Sequence, residues 1–194
     1  MKVEGVILAA GLSSRAIVYK MELDFGGKTL IERSIEAIYD LCDQVIVVGG
    51  YKIEVIRELT KRFSRVKVVE NPAYAKGMFT SVKAGLVATT AEKVLFTPGD
   101  YPLITPKTCE IMLHKEGEVV VPLWKGKKGH PIVLRRSLIN EILLEPDDSN
   151  LKAILRRKIA AFVDVNDPGI LIDIDTMSDY NNIIERYKDF FQHK

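Results

Sequence analysis

The chain is predicted to be an α/β protein, a three-layer sandwich with a mostly parallel central sheet and helices on both faces. Continuous apolar runs bounded by turn residues, at 5–10, 45–48, 66–69 and 94–96, read as strands buried on both faces. Helical spacing fills the stretches between them. This alternation runs through at least three units, so right-handed crossovers and a doubly wound sheet are expected, with ligands at the carboxyl ends of the strands.

The first strand is Gly5-Val6-Ile7-Leu8-Ala9-Ala10, and Gly26-Gly27 marks a turn before the first helix. Thr29-Leu30-Ile31-Glu32 has capping-box spacing, and Ile31, Ser34, Ile35 and Ile38 share one face up to Tyr39. Val45-Ile46-Val47-Val48 ends at Gly49-Gly50, a helix fits 53–63, a strand 66–69 and a further helix 79–88. The strand Val94-Leu95-Phe96-Thr97 runs into Pro98-Gly99-Asp100-Tyr101-Pro102. Beyond Asp100, residues 119–122, a Gly126-Lys127-Lys128-Gly129 turn and residues 131–134 read as a hairpin-like insertion that makes the sheet mixed. Asp147-Asp148-Ser149-Asn150 precedes a short helix to Arg157, and 161–165 and 170–174 are late strands. Thr176 caps a closing helix with Tyr180, Ile183, Ile184, Tyr187 and Phe191 at helical spacing.

With 194 residues and no linker, repeat or low-complexity stretch, the expectation is one domain, 1–194. Charged residues at 28% and hydrophobic ones at 47% describe a globular chain that buries its own core. Cys42 and Cys109 lack C-x-x-C or Cys/His spacing, which argues against a disulfide scaffold or structural zinc and for the cytoplasm. The net charge of +2 has no long block, so neither nucleic acid nor membrane is an expected partner. No apolar run reaches the roughly 20 residues of a membrane span, and Met1-Lys2-Val3-Glu4 opens no signal peptide.

The first strand ends in Leu8-Ala9-Ala10-Gly11-Leu12-Ser13-Ser14-Arg15, with Lys20 five residues after the arginine. Small residues there let backbone N–H groups approach a phosphate, whose charge Arg15 and Lys20 can neutralise; a plain Gly/Ser turn with two solvated cations is the alternative. Gly27-Lys28-Thr29 imitates the end of a P-loop, but Glu22 stands where that motif needs glycine. Asp100 falls at the same sheet edge as the phosphate loop, and magnesium needs only one or two carboxylates beside substrate phosphates. Asp173-Ile174-Asp175-Thr176 supplies two more carboxylates, one for a metal site and the other for strand or cap structure. Of three histidines only His130, in Gly129-His130-Pro131, stands where the chain can face a cleft. Trp124, beside Lys125, Lys127 and Lys128, reads as a half-buried hairpin tryptophan with stacking on a flat ligand ring as the alternative.

These segments together resemble the MobA-like nucleotidyltransferases, and most closely their molybdenum cofactor cytidylyltransferase branch. The resemblance rests on the Leu8–Arg15 loop with Lys20, Asn71-Pro72 followed by Gly77-Met78 and Ser81 through Gly85-Leu86, Gly99-Asp100-Tyr101-Pro102-Leu103, Gly129-His130-Pro131, and Asp173-Ile174-Asp175-Thr176 with Asp179-Tyr180. It implies a Rossmann-like fold and a reaction in which the phosphate of molybdopterin attacks the α-phosphate of CTP and releases pyrophosphate. Lys20, Arg15 and Asp100 are then the catalytic residues. Leu8, Ala9, Ala10, Gly11, Ser13, Arg15, Lys20, Gly77 and Ser81 hold the nucleotide, and Met78, Gly129 and His130 face the acceptor. Asp100 holds Mg2+ with Asp173 or Asp175, and a molybdoenzyme or chaperone is implied as a transient partner. Guanylyl-transferring relatives read Leu-Ala-Gly-Gly at the first loop, so Ala10 points to the cytidylyl branch. The family has Met-Gly directly after the arginine, whereas this chain has Ala16-Ile17-Val18-Tyr19. β-Branched Ile17 resists the positive φ that a glycine takes, so another loop path is expected. A sugar phosphate as acceptor, and a non-catalytic binder that keeps the nucleotide fold, are the alternative functions.

Overall fold

A computed structural model describes residues 2–11 and 19–188. Four parallel strands, β1 (Val3–Leu8), β2 (Gln44–Gly49), β3 (Val66–Glu70) and β4 (Lys93–Pro98), form one half of an eight-stranded sheet in the order β3-β2-β1-β4. The α-helices α1 (Leu30–Glu36), α2 (Ile53–Thr60) and α3 (Met78–Val87) connect them, as the alternation predicts. The capping box at Thr29 and Glu32 forms as its spacing requires. The helix at Ile53 stops at Thr60, earlier than the expected 63, and α1 stops at Glu36 rather than Tyr39.

After β4 the sheet becomes mixed. Helix α4 (Pro106–Leu113) leads to β5 (Val119–Trp124), β6 (Lys127–Lys128) and β7 (Ile132–Arg135). β7 runs antiparallel to β4 and to β5, while β8 (Ala160–Asp164) runs parallel to β5 along its other edge. Between them lie α5 (Arg136–Leu144) and α6 (Leu151–Arg156). Two expectations need correction here. The hairpin turn is Lys125-Gly126, both with left-handed backbone angles, and Lys127-Lys128 belong to a strand. Residues 170–174 form no strand; Pro168–Leu171 is a 3-10 turn, because the buried Asp167 carboxylate accepts from Gly169 N–H and from Thr105 and so ties the chain into a cap. Helices α4 and α5 have apolar faces that the sequence reading passed over.

Alternation along the strands sends side chains to two apolar layers. Ile7, Val47 and Leu95 pack with α1, α2, α4 and the closing helix α7 (Met177–Arg186). Val6, Ile46, Val94 and Phe96 pack with α3, α5 and α6. Cys42 and Cys109 are free and buried, and burial pushes the Cys42 thiol up to about 12. Among the described residues no helix is long and apolar enough to cross a membrane.

Candidate active site

The carboxyl edge of the parallel strands gathers segments far apart in the chain. Gly99 N–H donates to the Leu8 carbonyl and Ala9 N–H to that of Val48, so the first loop starts where β1, β2 and β4 end together. Lys20 sits on a short 3-10 turn, Lys20–Glu22, and reaches back across this edge. Its Nζ donates to Asp100 Oδ2 at 2.7 Å and to the Ile174 carbonyl at 3.1 Å, and lies 3.7 Å from Asp175 Oδ1. Ile174 N–H in turn donates to the Asp100 carbonyl at 3.0 Å. The expected residues Lys20, Asp100 and Asp175 are therefore brought together, and Asp173 lies on the same segment. Ser13, Arg15 and the departure at 16–18 lie outside the described residues.

Asp100 Oδ1 is buried and finds no hydrogen-bond partner. Such an atom carries a desolvation penalty that a ligand can remove. The Asp173 carboxyl is held above the usual carboxylate range, first by partial burial and then by the charges of Asp100 and Asp175. Both features suit a divalent cation: an acceptor oxygen lacks a partner, and neighbouring carboxylates repel one another. Among the described residues no three His, Cys, Asp or Glu side chains form an ion cage of their own. An ion here would complete its shell with phosphate oxygens and water, as magnesium does.

Beside this edge opens a cleft of about 1020 Å³ over the α3 and α6 face of the sheet. Of the expected residues, Leu8, Gly77, Met78, Gly129 and His130 line it. Gly77 takes φ +127°, which glycine tolerates, and starts α3 so that Met78 protrudes, 74% exposed. Gly129 lies against the Ile170 carbonyl, leaving no room for a Cβ. His130 N–H donates to that carbonyl at 2.9 Å, and the ring meets Tyr101 edge-on at 5.0 Å. The His130 pKa is lowered to about 4 by burial, against the opposing pull of Asp100, so the ring is neutral, and its Nδ1 has no partner. Burial, with Asp173, Asp100 and Asp175 adding, pushes the Tyr101 phenol up.

Ser81 is placed differently. It is 4% exposed, and its hydroxyl accepts from Asn71 Nδ2 at 2.9 Å, as does that of Thr80. Thr80 Oγ1 donates to the Ala73 and Gly77 carbonyls, so this network fixes the turn before α3. Ala10, 5% exposed, packs among the apolar side chains on the α3 side. Trp124 is half-buried and carries the Lys125 ammonium 4.7 Å from its ring centroid, the plain structural reading. The sequence reading missed Tyr101 and the α6 side chains Lys152, Leu155 and Arg156, which also line the cleft. The spacing of Lys152 and Arg156 on a helix was the one available signal.

A lysine and an aspartate paired at the carboxyl edge of a doubly wound sheet, next to a cleft wide enough for a second substrate, define the class: this is a nucleotidyltransferase. More particularly, the chain belongs to the MobA-like NTP transferase domain family, whose model matches residues 5–162. The molybdenum cofactor cytidylyltransferase of Escherichia coli strain K12 is 32% identical over 186 residues, covering 95% of this chain and 97% of its own. In three dimensions a nucleotidyl transferase from Methanothermobacter superposes with a TM-score of 0.84 at 23% identity, over 97% of this chain and 99% of that one. A Mycobacterium tuberculosis H37Rv protein in complex with manganese gives 0.76 at 24%, over 95% and 99%. Both show the same fold.

Proposed function

We propose that the chain transfers CMP from CTP to the phosphate of molybdopterin, releases pyrophosphate and depends on Mg2+. The observation that carries this reading is the Lys20–Asp100 pair, with its unpartnered carboxylate oxygen, at the edge beside which the cleft opens. Identity of 32% along nearly the whole length of a cytidylyltransferase supports the nucleotide and the acceptor. The manganese complex of the mycobacterial relative supports a divalent ion in this fold.

Lys20 neutralises charge on the triphosphate, with Arg15 as its expected companion. Leu8, Ala9 and Ala10 fix where the first loop leaves the sheet, Gly11 and Ser13 are its expected phosphate contacts, and Gly77 with Ser81 shapes the wall that the nucleotide meets. Asp100, with Asp173 or Asp175, holds the metal ion, which supplies neutralisation of the charge shared between transferring and leaving phosphates. Met78, Gly129 and His130 line the acceptor side. The acceptor phosphate is anionic at neutral pH and attacks the α-phosphorus directly; the bond to the bridging oxygen breaks and pyrophosphate leaves with its electron pair. No general base is needed, so alignment and charge supply the rate.

The test is pyrophosphate release from CTP and molybdopterin with Mg2+. The unaltered chain is expected to release it, and Asp100→Ala to keep its circular dichroism while turnover falls by orders of magnitude. A folded Asp100→Ala variant with near-normal turnover removes Asp100 from the site. Release with a sugar phosphate instead of molybdopterin keeps the transferase and changes its acceptor.

A further inference from the structure

Tyr101 follows Asp100 directly and has no part in the transfer described above. It lines the cleft beside Leu8, Pro98 and His130, and its body packs, partly buried, against the core layer under α1, α2, α4 and α7. The ring is held in place. His130 meets it edge-on at 5.0 Å, and the His130 backbone is itself fixed by the Ile170 carbonyl at 2.9 Å. The phenol oxygen faces the acids of the site: after burial, the charges of Asp173, Asp100 and Asp175 oppose its ionisation.

The hydroxyl has no use inside the fold. Tyr19 and Tyr180 show the ordinary solution for a buried or half-buried tyrosine, donating to the Ala9 and Asp24 carbonyls. Among the described residues the Tyr101 hydroxyl makes no such bond, and Asp100 takes its donor from Lys20 instead. The buried polar atoms without partners are Asp100 Oδ1 and His130 Nδ1, so the Tyr101 oxygen is not sealed in and opens to the cleft. A fixed, uncharged O–H donor beside three carboxylates suits an anion that a metal ion must share with them. It gives a phosphate oxygen a hydrogen bond without adding a cation that competes with the metal. Tyr101 and His130 belong to the cleft wall and Lys20 does not, which assigns the donor to the acceptor side and not to the triphosphate.

We propose that the Tyr101 hydroxyl binds the phosphate that receives the nucleotide, donating its O–H to one phosphate oxygen and so holding the attacking group beside Asp100. The proposal rests on the nucleotidyl-transfer reading above and adds to it the residue that positions the nucleophile.

Tyr101→Phe removes the oxygen and keeps the ring. With CTP, Mg2+ and molybdopterin, the variant is expected to raise the acceptor KM about tenfold to a hundredfold, as for the loss of one hydrogen bond to a charged group. The CTP KM, the Mg2+ concentration for half-maximal rate and the midpoint in urea are expected to stay as they were. An unchanged acceptor KM overturns the proposal. A raised Mg2+ requirement overturns it by making the phenol part of the metal site, and a lowered urea midpoint by making it a structural group. Binding of inorganic phosphate gives a readout without turnover, measured by calorimetry with Mg2+ and with α,β-methylene-CTP filling the nucleotide side. Tyr101→Phe is expected to weaken the phosphate Kd about tenfold or more; equal affinity, or no phosphate binding by the unaltered chain, overturns the proposal. If the unaltered chain releases no pyrophosphate with molybdopterin, the acceptor reading fails, and the phosphate comparison still decides the role of Tyr101.

Discussion

A single charge at this site answers to several partners. Lys20 bridges Asp100 and Asp175 and the Ile174 carbonyl, so one ammonium ties the turn after β4 to the segment that precedes α7. Its place at this edge was legible in the sequence, because a cation a few residues after the small-residue end of β1 has little chain in which to leave that edge. His130 was legible only as a position; its charge state depends on burial, which sequence does not display. The folded pKa of about 4 lies below the ordinary 6.5, so at pH values between them the unfolded state binds a proton that the folded state refuses. Stability from the neutral ring is thus complete above about 6.5 and lost as pH falls toward 4. The shift converts to about 2–3 kcal/mol once the ring's partial exposure is allowed for. Unfolding free energies of the unaltered chain and of His130→Asn, measured from pH 7.5 to 4.5, are expected to converge as pH drops. Parallel curves would mean the ring titrates normally in the fold.

At the scale of elements, the start of α3 shows how a polar network sets a binding wall. Asn71 Nδ2 donates to Thr80 and Ser81, Asn71 Oδ1 accepts from Ala73 N–H, and Thr80 passes the constraint to the Gly77 carbonyl. Asn71→Ala leaves two buried hydroxyls without their donor, which costs about 1–3 kcal/mol. Because the same network aims Gly77 and Met78 at the cleft, the variant is expected to raise the KM for CTP and for the acceptor as well as lower the midpoint in urea. Loss of stability with both KM values unchanged would leave Asn71 a scaffold residue only. The motif containing Asn71 and Ser81 is visible in sequence, but which of them faces a ligand is not: both hydroxyl and amide are satisfied internally once α3 packs. The second half of the sheet was less legible for a related reason. Val119–Trp124 and Ile132–Arg135 read as strands, but their order beside β4 comes from crossovers that no local pattern encodes.

Over the whole molecule, the site is a product of chain closure. Residues from Leu8 to Asp175 converge on one edge, and Tyr180 of α7 holds the far end by donating to the Asp24 carbonyl at 2.8 Å and meeting Phe25 edge-on. A nucleotide that touches these segments together binds only the assembled fold, so its affinity appears as global stability. At a hundred times its Kd, CTP with Mg2+ should add about 2.7 kcal/mol, a rise of roughly 5–11 °C in Tm for a chain of this size. Base choice can be read in the same measurement. The Ala10 methyl packs into the apolar layer over α3, so the effect proposed for it on base choice would run through the backbone where the first loop begins, which glycine would relax. Pocket differences of this kind separate ligands by about 1–3 kcal/mol. GTP bound tenfold more weakly would, at the same concentration, give about half the CTP shift, and bound two-hundredfold more weakly almost none. The expected order is CTP above GTP in the unaltered chain, with the gap narrowed in Ala10→Gly. A larger shift with GTP would defeat the cytidylyl assignment and leave the transferase standing, whereas no shift with either nucleotide would defeat the reading of this edge as a triphosphate site.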